Sequence, residues 1–458
     1  MRNVPDDPVE PIGLPDEDVD ALFSRLTPFS DIMLAVSGGA DSLCLLVLFC
    51  EWKARSHWSG TAAVVVVDHQ LRAESAAEAE FVRSAARQRG LQCDILRWTG
   101  QKPSGNLQEE ARSARYRLIS EHMKASGAQV LLLAHHLDDQ AETFLDRLTR
   151  GSGLFGLSAM SADQPDGLEG LHLLRPFLGV PKKELVVSLE HRGLSWCEDP
   201  SNQSEKYKRS RLRRLTALLA EEGLTVDRMA QTALQLRRAR EALEGVLLRL
   251  YEDSVVEHPA GPLKLDMAVF RKAPEELRLR LLSLLVARVT GRPKHLRLSK
   301  LQKLDNEILA GEVLARPLSG AMFSLSRDWL VCWREAGRTP PETVEVAKVS
   351  GPWDARFSVE CLENHASRKV EAGLFLGALC NAPVRSREVI WPEGWPKQAF
   401  ACSPVVWSES GMVHWMPETL GVFEEKADLI PGLDLARLPF QGKLVANHMQ
   451  IEDTGAEI

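Results

Sequence analysis

The chain has 458 residues, of which 44% are hydrophobic and 26% charged, with a formal net charge of −7 at pH 7. That length exceeds what one hydrophobic core holds and predicts two to three domains, while the negative charge excludes a generally basic nucleic-acid binder and leaves any polynucleotide to local basic patches. No run of about 18 apolar residues is available to cross a membrane, the start Met1-Arg2-Asn3-Val4-Pro5-Asp6-Asp7 is acidic rather than basic-then-apolar, and eight cysteines without a C-x-x-C pair read as buried thiols, so a cytosolic protein without disulfides, zinc or an iron–sulfur cluster is expected.

After an acidic tail over 1–20, residues 32–36 read as a first strand that breaks into Ser37-Gly38-Gly39-Ala40-Asp41-Ser42. Two adjacent glycines allow φ > 0 and close approach of a ligand. The helix start that follows presents unpaired N–H groups and a positive dipole end, so an anion is the expected occupant. Ser37 and Ser42 add hydroxyl donors. Asp41, a poor neighbour for phosphate, reads as a magnesium ligand beside it. The loop is not G-x-x-x-x-G-K-[ST], whose lysine is absent, nor G-x-G-x-x-G.

Leu43, Leu45, Leu46 and Leu48 then mark a largely buried helix. The β-branched and alanine run over 61–67 has the composition of a central parallel strand covered on both faces, and ends at Asp68-His69. Residues 74–89 predict a helix, 92–98 a third strand, 106–124 a helix and 130–134 a fourth strand. This alternation predicts an α/β parallel sheet, with ligands beyond the carboxyl ends of the strands near Ser37, Asp68 and His135.

A second constellation, Ala134-His135-His136-Leu137-Asp138-Asp139-Gln140-Ala141-Glu142-Thr143, puts a histidine pair at a strand mouth and carboxylates in the first turn of a helix over 137–150. Asp139 and Glu142, three apart, share a helical face. First-turn acids commonly just compensate the helix dipole. Beside two histidines in the same crevice, they can hold magnesium or the ammonium of a cationic substrate, while a histidine moves a proton or polarises charge. Arg112 and Arg115 lie three apart on the preceding helix, where arginine forks suit phosphates or a base and equally suit a solvated face. Arg150-Gly151-Ser152-Gly153 is a helix C-cap or a nucleic-acid backbone contact. The run Lys206, Lys208, Arg209, Arg211, Arg213, Arg214 is dense enough to neutralise phosphates.

Beyond 220 the pattern changes. Residues 226–253 read as a long helix with Arg237, Arg238 and Arg240, and 275–303 as a basic helical stretch with Arg278, Arg280, Arg288, Arg292, Lys294, Arg297, Lys300 and Lys303 opposite a leucine stripe. A helical domain with one basic face is expected. From about Gly320 alternating segments and Gly/Pro joints predict a small β-rich module with tryptophans in its core.

Ser37–Ser42 resembles the S-G-G-x-D-S pyrophosphatase loop, whose enzymes split ATP between the α and β phosphates to adenylate a substrate oxygen. The segments 135–143, Arg150-Gly151-Ser152-Gly153, Gly156-Leu157, Val67-Asp68-His69-Gln70-Leu71-Arg72, Glu109-Glu110-Ala111-Arg112-Ser113-Ala114-Arg115-Tyr116, Leu174-Arg175-Pro176 and Trp196-Cys197-Glu198-Asp199-Pro200-Ser201-Asn202 together are similar, in order, to the tRNA(Ile)-lysidine synthetase family. One departure is Ser210, where the family pattern R-N-x-[IL]-R has asparagine; it puts that one hydrogen-bonding side chain in question.

The resemblance implies an adenine-nucleotide α-hydrolase-like parallel sheet domain over 21–220, a helical, basic tRNA-binding domain over 221–318 and a β-rich carboxyl-terminal module over 319–458, for which tRNA docking and homodimer formation both stay open. It implies a ligase that adenylates the wobble cytidine of an isoleucine tRNA with a CAU anticodon, then joins free L-lysine to it. AMP and pyrophosphate are released, and the lysidine product changes reading from AUG to AUA. On that reading Ser37, Gly38, Gly39, Ala40, Asp41 and Ser42 hold ATP, and His135, Asp138, Asp139 and Glu142 serve catalysis and lysine. Asp41, Asp139 and Glu142 are the magnesium candidates, while Arg112, Arg115, Arg150, Arg175, Arg209 and Arg213 contact tRNA or phosphate. Among alternatives, tRNA thiolases and glutaminase-coupled synthetases of the same loop class lack support in the cysteines. Another adenylating tRNA-modifying enzyme and an idle RNA-binding protein of the same fold stay open.

Overall fold

The computed structural model describes residues 13–71, 74–100, 102, 107–165, 167–198, 208–291, 296–337, 340–349, 352–361, 373–417, 419–422 and 433–437. Most of the tail over 1–20, Arg72, the stretch Asp199-Pro200-Ser201-Asn202, Lys206, Arg292 and Lys294 lie outside them. Two compact units form, Met1–Arg238 and Ala239–Ile458.

The first unit runs α1 (Asp16–Phe23), β1 (Asp31–Ala35), α2 (Ala40–Ser56), β2 (Thr61–Asp68), α3 (Ser75–Arg87), β3 (Gln92–Arg97), α4 (Leu107–Ser126), β4 (Val130–Leu132), α5 (Leu137–Leu148), α6 (Leu154–Leu157), β5 (Asp163–Gln164), β6 (Leu173–Leu174), α7 (Lys182–Glu190) and α8 (Lys208–Glu221), and takes in the start of α9 (Val226–Ser254). Its strands form one sheet in the order β3-β2-β1-β4-β6-β5, parallel except for β5. Successive side chains on a strand face opposite sides, and here both sides are covered, so the strands are apolar at almost every position. Ile32, Leu34, Val64, Val66, Val130 and Leu132 enter a core with Leu45, Leu46 and Phe49 of α2, Val82 of α3 and Leu185 of α7. Met33, Val65 and Leu131 enter the opposite one with Tyr116, Ile119 and Met123 of α4.

Helix α5 buries Ala141, Phe144 and Leu145 against Leu212 of α8 and Met229 and Ala233 of α9. The first turns of α9 thereby belong to the first unit, and its boundary falls inside that helix, past the change in composition at 220.

The second unit continues with β7 (Val255–Glu257), β8 (Leu263–Asp266), α10 (Met267–Lys272), α11 (Glu275–Thr290), α12 (Leu298–Ala310), β9 (Arg316–Leu318), β10 (Ala321–Ser326), β11 (Trp329–Arg334), β12 (Val344–Glu345), β13 (Phe357–Cys361), β14 (Leu374–Ala378), β15 (Val389–Ile390), β16 (Pro404–Ser408), β17 (Val413–Trp415), β18 (Gly421–Val422) and β19 (Leu433–Arg437). A five-stranded antiparallel sheet β7-β8-β11-β10-β9 and a four-stranded sheet β12-β14-β16-β17 dominate it. Strands β7 and β8 lie between the two stretches read as helical, inside the segment expected to form a helical domain. They are three and four residues long, too short to show a period among leucine-rich helices. Trp353 and Trp407 are buried, with Trp391 and Trp395 packed against the second of these cores.

The expected basic face of 275–303 needs correction. The stretch is two helices, and α11 is buried along most of its length, so its arginines turn inward to carboxylates. Arg278 pairs with Asp305 at 2.8 Å, Arg280 with Glu276 at 2.7 Å and Arg288 with Glu257 at 2.6 Å. Arg237 likewise donates to the Ser158 carbonyl at 2.7 Å, and Arg240 pairs with Glu244 at 2.7 Å. Exposed cations in this part of the chain include instead Arg228, Arg238 and Arg249 on α9, Arg271 and Lys272 on α10, Arg297 at the mouth of α12, and Lys300 and Lys303 on α12. Cationic side chains are excluded from a core unless paired, and a leucine-dense helix conceals which of its arginines are paired until the fold is formed.

Among the described residues no helix is long and apolar enough to cross a membrane. Cys44, Cys50, Cys93, Cys197, Cys332, Cys380 and Cys402 are free thiols, and burial pushes Cys44 up to about 12 and Cys50, Cys93 and Cys402 up to about 11. Such thiols are inert at neutral pH.

Candidate active site

Adjacent strands β1 and β4 are where the sheet order reverses, so the loops leaving their carboxyl ends open a crevice between them. The loop after β1 carries Ser37–Ser42 and that after β4 carries His135 and His136. Gly38 adopts φ +91°, a conformation that demands glycine, although an added Cβ there would meet only ordinary contacts, 3.4 Å from Val82 Cγ2 and 3.5 Å from Cys197 Sγ. At Gly39 an added Cβ would meet nothing within 4 Å, which leaves open space in front of the loop at the start of α2. The Ser37 N–H donates to Ser42 Oγ at 3.1 Å, and Ser42 Oγ donates to the Gly39 carbonyl at 3.0 Å. These bonds hold the turn in the shape an anion would meet. Cys197 N–H donates to the Gly38 carbonyl at 3.0 Å and ties the segment before α8 to the loop.

His136, only 2% exposed, is the centre of the site. Its Nε2 lies 3.5 Å from Asp41 Oδ2 and 3.5 Å from Asp139 Oδ2, and its Nδ1 3.5 Å from Asp138 Oδ2. Burial works against the imidazolium, but Asp138, Asp41 and Asp139 outweigh it and raise the group to about 9. Burial likewise favours a neutral Asp41, yet His136 and Lys182 hold that carboxyl below its ordinary range. The Lys182 ammonium stands 3.3 Å from Asp41 Oδ2.

The carboxylates divide into engaged and available ones. Asp138 Oδ2 accepts the Lys182 backbone N–H at 2.8 Å, capping α7, and the charge of His136 together with this bond lowers its carboxyl. Asp139 Oδ2 accepts the His136 N–H at 3.1 Å, capping α5. Glu142, 6% exposed, accepts Arg213 Nε at 2.5 Å on Oε1. Asp41 Oδ1 and Glu142 Oε2 are buried and accept no hydrogen bond in the described structure. Among the described residues no three His, Cys, Asp or Glu side chains gather as a ready-made metal cage. Two unpartnered carboxylate oxygens do fit an oxygen-bound cation whose shell is completed by phosphate and water, which is how magnesium is ordinarily held.

The remaining predicted residues separate by exposure. Arg112 and Arg115 are exposed on α4, Arg112 over the Tyr116 ring at 5.2 Å and Arg115 Nη2 3.4 Å from His69 Nε2. Burial and the cations Arg115 and Lys102 push His69 down to about 4. A histidine titration by NMR should therefore place the His69 midpoint near 4 and the His136 midpoint near 9; midpoints that coincide near the unperturbed 6.5 would contradict both environments. Arg150 is exposed and pairs with Asp146 at 2.9 Å. Arg175 is 5% exposed and donates to the Ser161 carbonyl at 2.7 Å and to Gln164 Oε1 at 3.1 Å, so it braces the β5–β6 edge and does not face solvent. The side chain of Arg209 lies outside the described residues.

Two residues central to this geometry were not singled out from the sequence. His135 and His136 are adjacent and chemically identical as letters; only the direction of the backbone leaving β4 decides which one is enclosed. Lys182 carries no motif and reaches Asp41 across 141 residues of chain.

Residues 16–219 match the family model described as the PP-loop domain. The tRNA(Ile)-lysidine synthase of Wolbachia pipientis wMel is 36% identical over 349 residues, which cover 75% of this chain and 80% of that protein. That of Bradyrhizobium diazoefficiens is 38% identical over 327 residues, with 67% and 90% covered, and that of Methylobacterium nodulans 42% identical over 305, with 64% and 87% covered. A parallel sheet with the glycine loop and the carboxylate–histidine cluster at its switch point, and relatives aligned over most of their lengths, lead to one conclusion: the chain belongs to the tRNA(Ile)-lysidine synthase family.

Proposed function

We propose that this chain ligates L-lysine to the wobble cytidine of an isoleucine tRNA with a CAU anticodon, using ATP. The observation that carries the reading is the convergence, at one switch point, of an anion-shaped glycine loop with two unpartnered carboxylate oxygens. Together they suit a reaction that gathers phosphate charge beside a cationic substrate.

The cytidine 2-oxygen attacks the α-phosphorus, the bond to the β-phosphate oxygen breaks, and pyrophosphate leaves. The ε-amine of lysine then attacks carbon 2 and AMP departs. The loop from Ser37 to Ser42, through Gly38, Gly39, Ala40 and Asp41, receives the phosphates at the start of α2. Magnesium, when bound, neutralises phosphate charge, with Asp41 and Glu142 as its protein ligands and Asp139 beside them. Glu142 and Asp139 also face the lysine ammonium. Asp138, which caps α7, shapes the pocket, and His135 at its mouth is the residue for the base. His136, held protonated by three carboxylates, is a fixed positive charge and no general base at neutral pH. Arg112, Arg115 and Arg150 are exposed for tRNA phosphates, and Arg213 sets the Glu142 carboxylate. The helices within 221–318 offer tRNA the cations of α9 and α12.

Purified protein with ATP, magnesium, radiolabelled lysine and the CAU transcript is expected to label the tRNA and release AMP. Labelling should vanish with uridine at the wobble position. ATP cleavage without labelling would overturn the reading in favour of another adenylating substrate.

A further inference from the structure

The loop from Ser37 to Ser42 contains no lysine or arginine, although the reaction proposed above sets free a pyrophosphate that carries several negative charges. Helix N–H groups and hydroxyls donate hydrogen bonds, but any full positive charge that the protein adds to that of magnesium comes from elsewhere in the chain. Three cations flank the carboxylates. His136 is buried with all of its charge turned to Asp41, Asp138 and Asp139, and Arg213 is bonded to Glu142. Lys182 differs from His136 in that its side chain is 42% exposed, as that of Arg213 is, and from Arg213 in its partner: its ammonium stands 3.3 Å from Oδ2 of Asp41, a residue of the loop itself.

The position of Lys182 is fixed independently of its ammonium. Pro181 precedes it as the N-cap of α7, and its backbone N–H is held by Asp138 Oδ2 at 2.8 Å. A rigid base thus carries a flexible, solvent-accessible ammonium to the rim of the phosphate loop. We propose that Lys182 supplies in space the cation that the loop lacks in sequence, binding the β-phosphate of ATP and stabilising the departing pyrophosphate. Its ammonium moves from Asp41 to a phosphate oxygen as nucleotide enters, and Asp41 is released to its own ligand. As the Pα–O bond breaks, the electron pair passes to the bridging oxygen of pyrophosphate, where the Lys182 charge opposes it; no proton transfer is required of the lysine.

This inference rests on the family's ATP chemistry, and the test separates the two. First, tRNA-dependent exchange of labelled pyrophosphate into ATP by the wild-type protein checks the chemistry; its absence overturns the adenylation reading and this inference with it. Second, with exchange present, wild-type protein is treated with an amine-acetylating reagent with and without inorganic pyrophosphate and magnesium, and modification at Lys182 is read by mass spectrometry. Protection of Lys182, with Lys183 on the same helix as internal control, is expected; equal modification overturns the proposal. Third, Lys182→Met should weaken inorganic pyrophosphate as an inhibitor and raise the KM for ATP by about 10- to 100-fold, the loss expected for one charge-assisted hydrogen bond, while the KM for lysine is unchanged. Lys182→Arg should recover most of the affinity. A purely structural lysine would move the melting temperature and leave the pyrophosphate inhibition constant unchanged, which would overturn the proposal. The acetylation arm decides the matter on the wild-type protein if the methionine variant does not fold.

Discussion

Asp41→Asn is expected to lower the initial rate of lysine incorporation by about 100- to 1,000-fold, the size of effect seen when one preorganised electrostatic group is removed from a transition state that gathers charge. The substitution keeps the shape of the side chain and one oxygen for Lys182, whose ammonium lies 3.3 Å away. It removes the charge that Oδ1, buried and without a hydrogen bond, has to offer. Because asparagine can still sit in the first turn of α2, melting temperature should change by a few degrees at most, and the lost activity should not recover with more tRNA. Saturating magnesium should restore only part of it. A loss smaller than tenfold, measured at saturating ATP and lysine, would show that Asp41 is a structural acid and that the phosphate charge is met elsewhere.

His136→Ala carries the largest expected cost in stability, about 3 kcal/mol at pH 7, because it takes the one enclosed cation from among three carboxylates. Asp41, Asp138 and Asp139 would then repel one another with no cation between them. The imidazole is raised from 6.5 in the unfolded chain to about 9 in the fold, so its folded form binds the proton more tightly. Its contribution is fully present below pH 6.5 and is lost as pH rises through about 9. Denaturant unfolding in magnesium-free buffer should therefore show the greatest gap between wild type and variant near pH 6 and a closing gap toward pH 10. His135→Ala should cost about 1 kcal/mol, as for an average substitution. A pH-independent gap, or a larger one for His135→Ala, would remove His136 from the centre of the site.

Much of this protein is written locally. The strand β1, the Gly38-Gly39 turn and the start of α2 follow from an apolar run, two residues without Cβ and a hydroxyl-rich helix start, all within a dozen positions. The parallel sheet follows from the apolar runs of its central strands β1, β2 and β4, because a strand covered on both faces has no polar side to alternate with. The carboxylates of α5 were legible for the same reason: capping and face-sharing depend on spacings of three and four residues. Local chemistry of this kind also carried the resemblance that the relatives bear out.

What the sequence could not decide are pairings between groups distant along the chain. Ion pairs form wherever folding brings charges together, and a one-letter string does not show which arginine will meet a carboxylate. So Arg175, which the resemblance offers as a tRNA or phosphate contact, is buried and donates to the Ser161 carbonyl and to Gln164 at the β5–β6 edge. Arg278, Arg280 and Arg288 looked like one basic face and are held within the second unit by Asp305, Glu276 and Glu257. Strands β7 and β8 exist because β11, more than sixty residues along, supplies their hydrogen-bonding partner to β8. The sequence by itself determined the glycine loop after β1, the sheet and the family. The tertiary structure alone chose His136 over His135, brought Lys182 to Asp41 and left Asp41 and Glu142 each with an open oxygen, since enclosure and charge pairing are properties of neighbours in space.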